Sequence, residues 1–67
     1  MTLLAEYVLE LLKDDKWHEI DEIAKTFNKQ EDLIRYILYF YEEFGFIEFD
    51  DERKSVVIDP KTRELFP

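Results

Sequence analysis

Apolar side chains recur at Leu3, Leu4, Tyr7, Val8 and Leu11, three or four residues apart, the period of a helix with one face turned inward. Thr2 stands ahead of them as an N-cap, and the charged run Lys13-Asp14-Asp15-Lys16 ends the pattern. Ala5, Leu9 and Leu12 lie beside the main arc, so this first helix has more apolar width than one packing surface requires. The excess fits either a helix held between two neighbours or a self-association seam along Ala5, Leu9 and Leu12.

Trp17 to Ile20 alternates in character and reads as a short strand or an extended lead-in. Asp21 then supplies an N-cap, and Glu22 a first-turn carboxylate, for a second helix running to about Phe27. Ile23, Ala24 and Phe27, with Ile20 ahead of the cap, give it a single face for burial. Asn28 is the non-glycine type that best tolerates a left-handed turn, and it separates this helix from a third that starts near Gln30. In the third helix Leu33, Ile34, Ile37, Leu38, Tyr41 and Phe44 span an arc of about 140°, with Phe40 on its edge. Gly45 stops the helix.

Phe46 to Asp50 and Ser55 to Asp59 are rich in aromatic and β-branched residues and flank the charged stretch Asp51 to Lys54, so they read as a hairpin. Ile47 and Phe49 share one face of its first strand, and Val56 and Ile58 one face of its second. Asp59-Pro60 is an N-cap followed by proline at the first helical position, which starts a closing turn of helix over Lys61 to Phe66. The pattern describes one α+β domain over residues 1–67, with no repeat or linker.

Composition narrows the chemistry. With 46% apolar residues in 67, nearly every apolar side chain is needed for the core. There is no cysteine and His18 is the single histidine, which excludes disulfides, thiolate chemistry and cysteine/histidine zinc sites. His18 with Asp21 or Glu22, and the run Asp50-Asp51-Glu52, lack the spacing of a zinc site or calcium loop, so no metal or cofactor is expected. One serine and one histidine, without a glycine-rich or carboxylate-supported site, give no nucleophile constellation, and the chain reads as a non-enzyme. The longest apolar run, Tyr36 to Tyr41, is far short of a membrane span. Glu6 and Glu10 interrupt the N-terminal leucines, which argues against a signal peptide and makes the cytoplasm the expected location. A single Asn, a single Gln and the lack of Cys are a thermophile-like composition.

Charge changes the picture most. Seventeen acidic residues against nine basic ones leave a formal net charge of -8, with both halves of the chain acidic. Attraction to phosphate therefore has to be local if it exists at all. The aromatic content and apolar periodicity still require a folded chain rather than a disordered one.

Three helices followed by a two-stranded hairpin, with the second and third joined by a tight turn, resemble a winged helix-turn-helix domain. The residues that carry the likeness are Asp21-Glu22-Ile23-Ala24-Lys25 at the start of the positioning helix, the turn at Asn28, the series Ile34, Leu38 and Tyr41, and Gly45-Phe46-Ile47 leading into the wing. The likeness covers almost the whole chain. Two positions depart from the family habit: Lys29 where an aliphatic residue is usual, and Gln30 where Ser or Thr usually caps the third helix. The resemblance implies a DNA-binding module of the transcription-regulator type, with the third helix in the major groove, Arg35 and Gln30 near bases, and Lys29, Arg53 and Lys54 on phosphates. Lys25 adds to this rim.

The residues themselves set that implication against an alternative. The polar side of the third helix holds Glu31, Asp32, Glu42 and Glu43 against Arg35 alone, so the implied association with double-stranded DNA is weak or dependent on a homodimer that doubles the rim. The alternative is an acidic protein-interaction module within a larger assembly. Tyr36 and Tyr39 lie on that polar side, and amphipathic aromatics among carboxylates suit a protein partner unless the Lys61 to Phe66 segment covers them. Leu9 of the first helix offers a second contact.

Overall fold

Two left-handed residues set the course of the chain. Asn28 has φ +54° and Gly45 has φ +76°. After the first, the Lys29 N–H donates to the Ala24 carbonyl (2.9 Å) and the Asn28 N–H to that of Lys25 (3.1 Å). After the second, Phe46 donates to Tyr41 (3.0 Å) and Gly45 to Glu42 (2.8 Å). Both are the paired closure that satisfies the last carbonyls of a helix and turns the backbone sharply out of its axis. A Cβ on Gly45 would meet nothing within 4 Å, so Gly45→Ala tests the backbone alone. It should lower stability by about 1–2 kcal/mol in urea unfolding, and an unchanged midpoint would mean that the turn relaxes to negative φ.

The computed structural model describes residues 3–65. Helix α1 (Leu4–Leu11) runs into a 3-10 turn (Leu12–Asp14), strand β1 (His18–Glu19), helices α2 (Ile20–Phe27) and α3 (Glu31–Glu43), strands β2 (Ile47–Asp50) and β3 (Ser55–Ile58), and helix α4 (Pro60–Glu64). The sheet is antiparallel in the order β1-β3-β2. Ile47 stands opposite Ile58 and Phe49 opposite Val56, so the hairpin turns a single apolar face towards the helices. The core joins that face to Val8, Leu12, Ile20, Ile23, Ala24, Ile34, Leu38 and Tyr41.

This is a small mixed α+β domain, and it departs somewhat from the expected inventory of three helices, a two-stranded hairpin and a short closing helical turn. The Trp17 to Ile20 stretch contributes a third strand, His18 pairing with Val56 and Glu19 with Ser55. The Ile20 N–H then donates to the Lys54 carbonyl (2.9 Å), which starts α2 one residue before Asp21 and puts Glu19, not Asp21, at the cap position. The closing segment is a helix in its own right: the Asp59 carboxylate accepts from the Lys61 N–H (2.9 Å) ahead of Pro60. The Thr2 cap and Phe66 lie outside the described residues.

Helix α1 is rotated from its expected setting. Leu3 and Tyr7 are exposed, whereas Val8 and Leu12 have no accessible surface. The 3-10 turn that begins at Leu12 packs on β3 and drives that side chain into the core, so Leu12 belongs to no surface seam. Ala5 and Leu9 are half-buried against the core cluster.

Tyr41 links α3 to α1, its hydroxyl donating to the Ala5 carbonyl at 2.6 Å. Burial raises the Tyr41 hydroxyl above its ordinary value of 10, and the Glu6 carboxylate raises it further. The neutral phenol therefore contributes stability that is complete below pH 10 and lost as the pH rises through the raised folded value. Tyr41→Phe should cost about 1 kcal/mol at neutral pH, the size of one hydrogen bond, and should flatten the alkaline limb of a stability profile.

Candidate interaction surface

The six polar residues implied to contact DNA are at or near the surface, and three of them, Arg53, Arg35 and Lys25, are already paired with carboxylates. Arg53 donates from Nε to the Asp50 carboxylate at 2.6 Å, and its guanidinium lies 5.4 Å from the centre of the Trp17 ring. The same carboxylate accepts the Glu52 and Arg53 backbone N–H groups, so Asp50 ties the hairpin turn together. The Arg53 side chain, its backbone N–H and the Glu52 N–H hold Asp50 below the usual carboxylate range. Arg35 is held on its own helix: the Tyr39 hydroxyl and the Glu31 carboxylate, 3.4 Å from Nε, both favour its charged form. Lys25 lies 4.0 Å from Asp21.

Gln30 occupies the cap position of α3 without a side-chain cap bond, its carbonyl accepting from the Ile34 N–H at 3.3 Å. Lys29 and Lys54 are exposed and carry no ion pair among the described residues. Lys54 has φ +51° at the end of the hairpin turn and lines a cleft of about 240 Å³ with Glu19, Asp21, Glu31, Glu52 and Arg53. The tertiary structure thus gathers four carboxylates with two cations between the starts of α2 and α3 and the hairpin tip. A phosphate placed there meets net negative charge.

The opposite situation holds along the outer side of α3. Ile34, Leu38 and Tyr41 are buried, but Leu33, Phe40 and Phe44, expected in or at the edge of the same inward arc, are 44%, 53% and 59% exposed. Tyr36, at 68%, and Tyr39, at 52%, are also uncovered among the described residues, α4 lying elsewhere beside the sheet and the 3-10 turn. The reason is the packing of the helix. Helix α2 and strand β2 take one narrow side of α3, and α1 reaches it through Tyr41. The apolar width of α3 exceeds what these neighbours cover.

The uncovered residues form an ordered surface. Phe40 meets Phe44 edge-on at 5.0 Å and Tyr41 at 6.0 Å; Phe44 stacks on Phe46 at 5.8 Å; and Tyr39 meets Phe49 at 5.2 Å. A groove of about 230 Å³ runs between Tyr36, Tyr39, Phe40 and Glu43. Sequence reasoning found Tyr36 and Tyr39 but missed Leu33, Phe40 and Phe44. Their signal was the 4-3-4 spacing of Leu33, Ile37, Phe40 and Phe44, a helix-pairing period beside the core period of Ile34, Leu38 and Tyr41.

His18 Nε2 lies 2.9 Å from Asp14 and its Nδ1 3.9 Å from Glu22. No cluster of three or more His, Cys, Asp or Glu residues among the described ones has the geometry to hold a metal ion. No described helix is long and apolar enough to cross a membrane. Comparison of the chain with protein-family models, with curated proteins and with solved structures gives no match.

Proposed function

We propose that this domain is a protein-docking module of winged-helix type whose contact surface is the outer face of α3. The observation that carries the reading is the second apolar side of that helix, with Leu33, Tyr36, Phe40 and Phe44 all exposed. Exposed apolar area concentrated on one element of so small a domain is the ordinary mark of an interface. The winged-helix assignment is supported by the order α2, tight turn at Asn28, α3, Gly45 and hairpin. Native recovery of the chain from its own host tests the function. Partners should be retained by the wild-type chain and lost from a Phe40→Ala, Tyr36→Ala double variant, and an identical partner set on both overturns the reading.

Association with duplex DNA is the second reading, favoured by the same element order and by the uncommitted ammonium groups of Lys29 and Lys54. It is opposed by the four carboxylates in the cleft beside Lys54. A duplex titration across salt separates the two. The DNA reading requires affinity that falls as salt rises and falls again on Lys54→Ala, whereas docking through α3 expects no complex even at low salt, where screening is weakest.

A further inference from the structure

We infer that the occupant of the outer face of α3 is a basic amphipathic helix of another protein; the inference rests on the docking reading above and names the partner's chemistry. Three features of the face support it. The first is shape. Leu33, Phe40 and Phe44, with Tyr36 beside them, form a ridge along α3 and its C-cap, the eleven steps from Leu33 to Phe44 covering about 16 Å at 1.5 Å per residue. A helix laid along such a ridge matches it with apolar residues at i, i+3 or i+4, and i+7.

The second feature is charge. Asp32 and Glu43 border the ridge on the side of Tyr36, and Glu43 lines the groove with Tyr36, Tyr39 and Phe40. On the other flank Glu6 lies close enough to Tyr41 to raise its hydroxyl, and it lines a second hollow with Leu9, Glu10, Lys13 and Tyr41. Lys13, the cation of that hollow, is bound to Glu10 at 2.7 Å. Arg35 is turned towards Glu31 and Tyr39. The apolar ridge therefore runs between carboxylates, and a partner helix with Lys or Arg flanking its apolar stripe places cations against both rims.

The third feature selects among occupants. A second copy of this chain brings a net charge of -8 and the same acidic rims, so a symmetric dimer through α3 sets like charges along both edges of the contact. A partner with acidic flanks meets the same repulsion. A basic helix alone satisfies the ridge and the rims together.

A displayed library of short helices tests this. Their apolar positions are drawn from Leu, Ile, Phe and Met and their flanking positions from Lys and Glu in equal proportion. Selection uses the full chain, with Phe40→Ala and, separately, Tyr36→Ala as counter-selections, both variants being verified as folded by circular dichroism. The expected result is enrichment of Lys over Glu at the flanks by roughly tenfold, equivalent to about 1.4 kcal/mol of charge pairing. Binding of the selected helices should weaken with salt and drop on either substitution. Binders that depend on Phe40 but show no preference for Lys overturn the basic class and leave docking at α3 standing. A library with no binder that depends on Phe40 or Tyr36 overturns both. Concentration-dependent dimerisation of the wild-type chain that Phe40→Ala abolishes, read by sedimentation, assigns the face to a second copy and overturns the inference.

Discussion

Leu12→Ala should lower the stability of the domain by about 2–5 kcal/mol, the range for removing a large apolar side chain from a packed site. Leu12 has no accessible surface and begins the 3-10 turn that packs on β3, so the cavity left behind is bounded by the end of α1 and the sheet. Both are regular elements with little freedom to close it. In a domain of this size the total margin is of similar magnitude, about 5 kcal/mol, and the variant should unfold at low urea or show loss of cooperative melting. Leu9→Ala, on the half-buried flank of the same helix, should cost a fraction of that. Equal effects at the two positions would restore the surface seam in which Leu12 and Leu9 are equivalent.

Phe40→Ala should behave in the opposite way. Its ring is exposed and touches Phe44 and Tyr41 only at aromatic-edge distances, so truncation should shift the unfolding midpoint little. Partner binding should fall by about 30-fold, corresponding to the roughly 2 kcal/mol carried by a central aromatic anchor at an interface. Tyr36→Ala should weaken it less, because Tyr36 stands at the edge of the ridge, beside Glu43. Isothermal titration of each variant with a selected helix measures this. A large loss of stability without loss of binding would make Phe40 a core residue and remove the surface.

The contrast between these two residues shows where the sequence was readable. Periodicity marked both as apolar members of helices, and capping chemistry placed the helix ends close to where they fall. Asn28, Gly45 and Asp59-Pro60 act locally, through backbone conformation and a nearby acceptor, and each does what its type dictates. Asp21 does not, because a contact distant in sequence, from the Ile20 N–H to Lys54, begins the helix earlier. The strand at His18–Glu19 was ambiguous for the same reason: two residues carry too little pattern, and pairing with Val56 and Ser55 defines them.

The candidate site divides likewise. That Lys25, Lys29, Gln30, Arg35, Arg53 and Lys54 lie around the turn at Asn28, α3 and the hairpin tip follows from their positions in the chain. That Arg53 is spent on Asp50 and Trp17, and that four carboxylates converge beside Lys54, follows from the folding of the hairpin against the starts of α2 and α3.

By itself the sequence determined the α+β class, the helices and hairpin, the face each strand buries and the acidity of the whole surface, because periodicity, capping and charge are properties of neighbours along the chain. The tertiary structure alone decided that Leu12 is inside, that Leu3, Leu33, Phe40 and Phe44 are outside, and that α3 has one side in the core and another without cover. A helix wider in apolar surface than its neighbours can bury has no local signal for which side wins. Packing against α2, the sheet and α1 settles it, and the side left over is the one proposed here to bind.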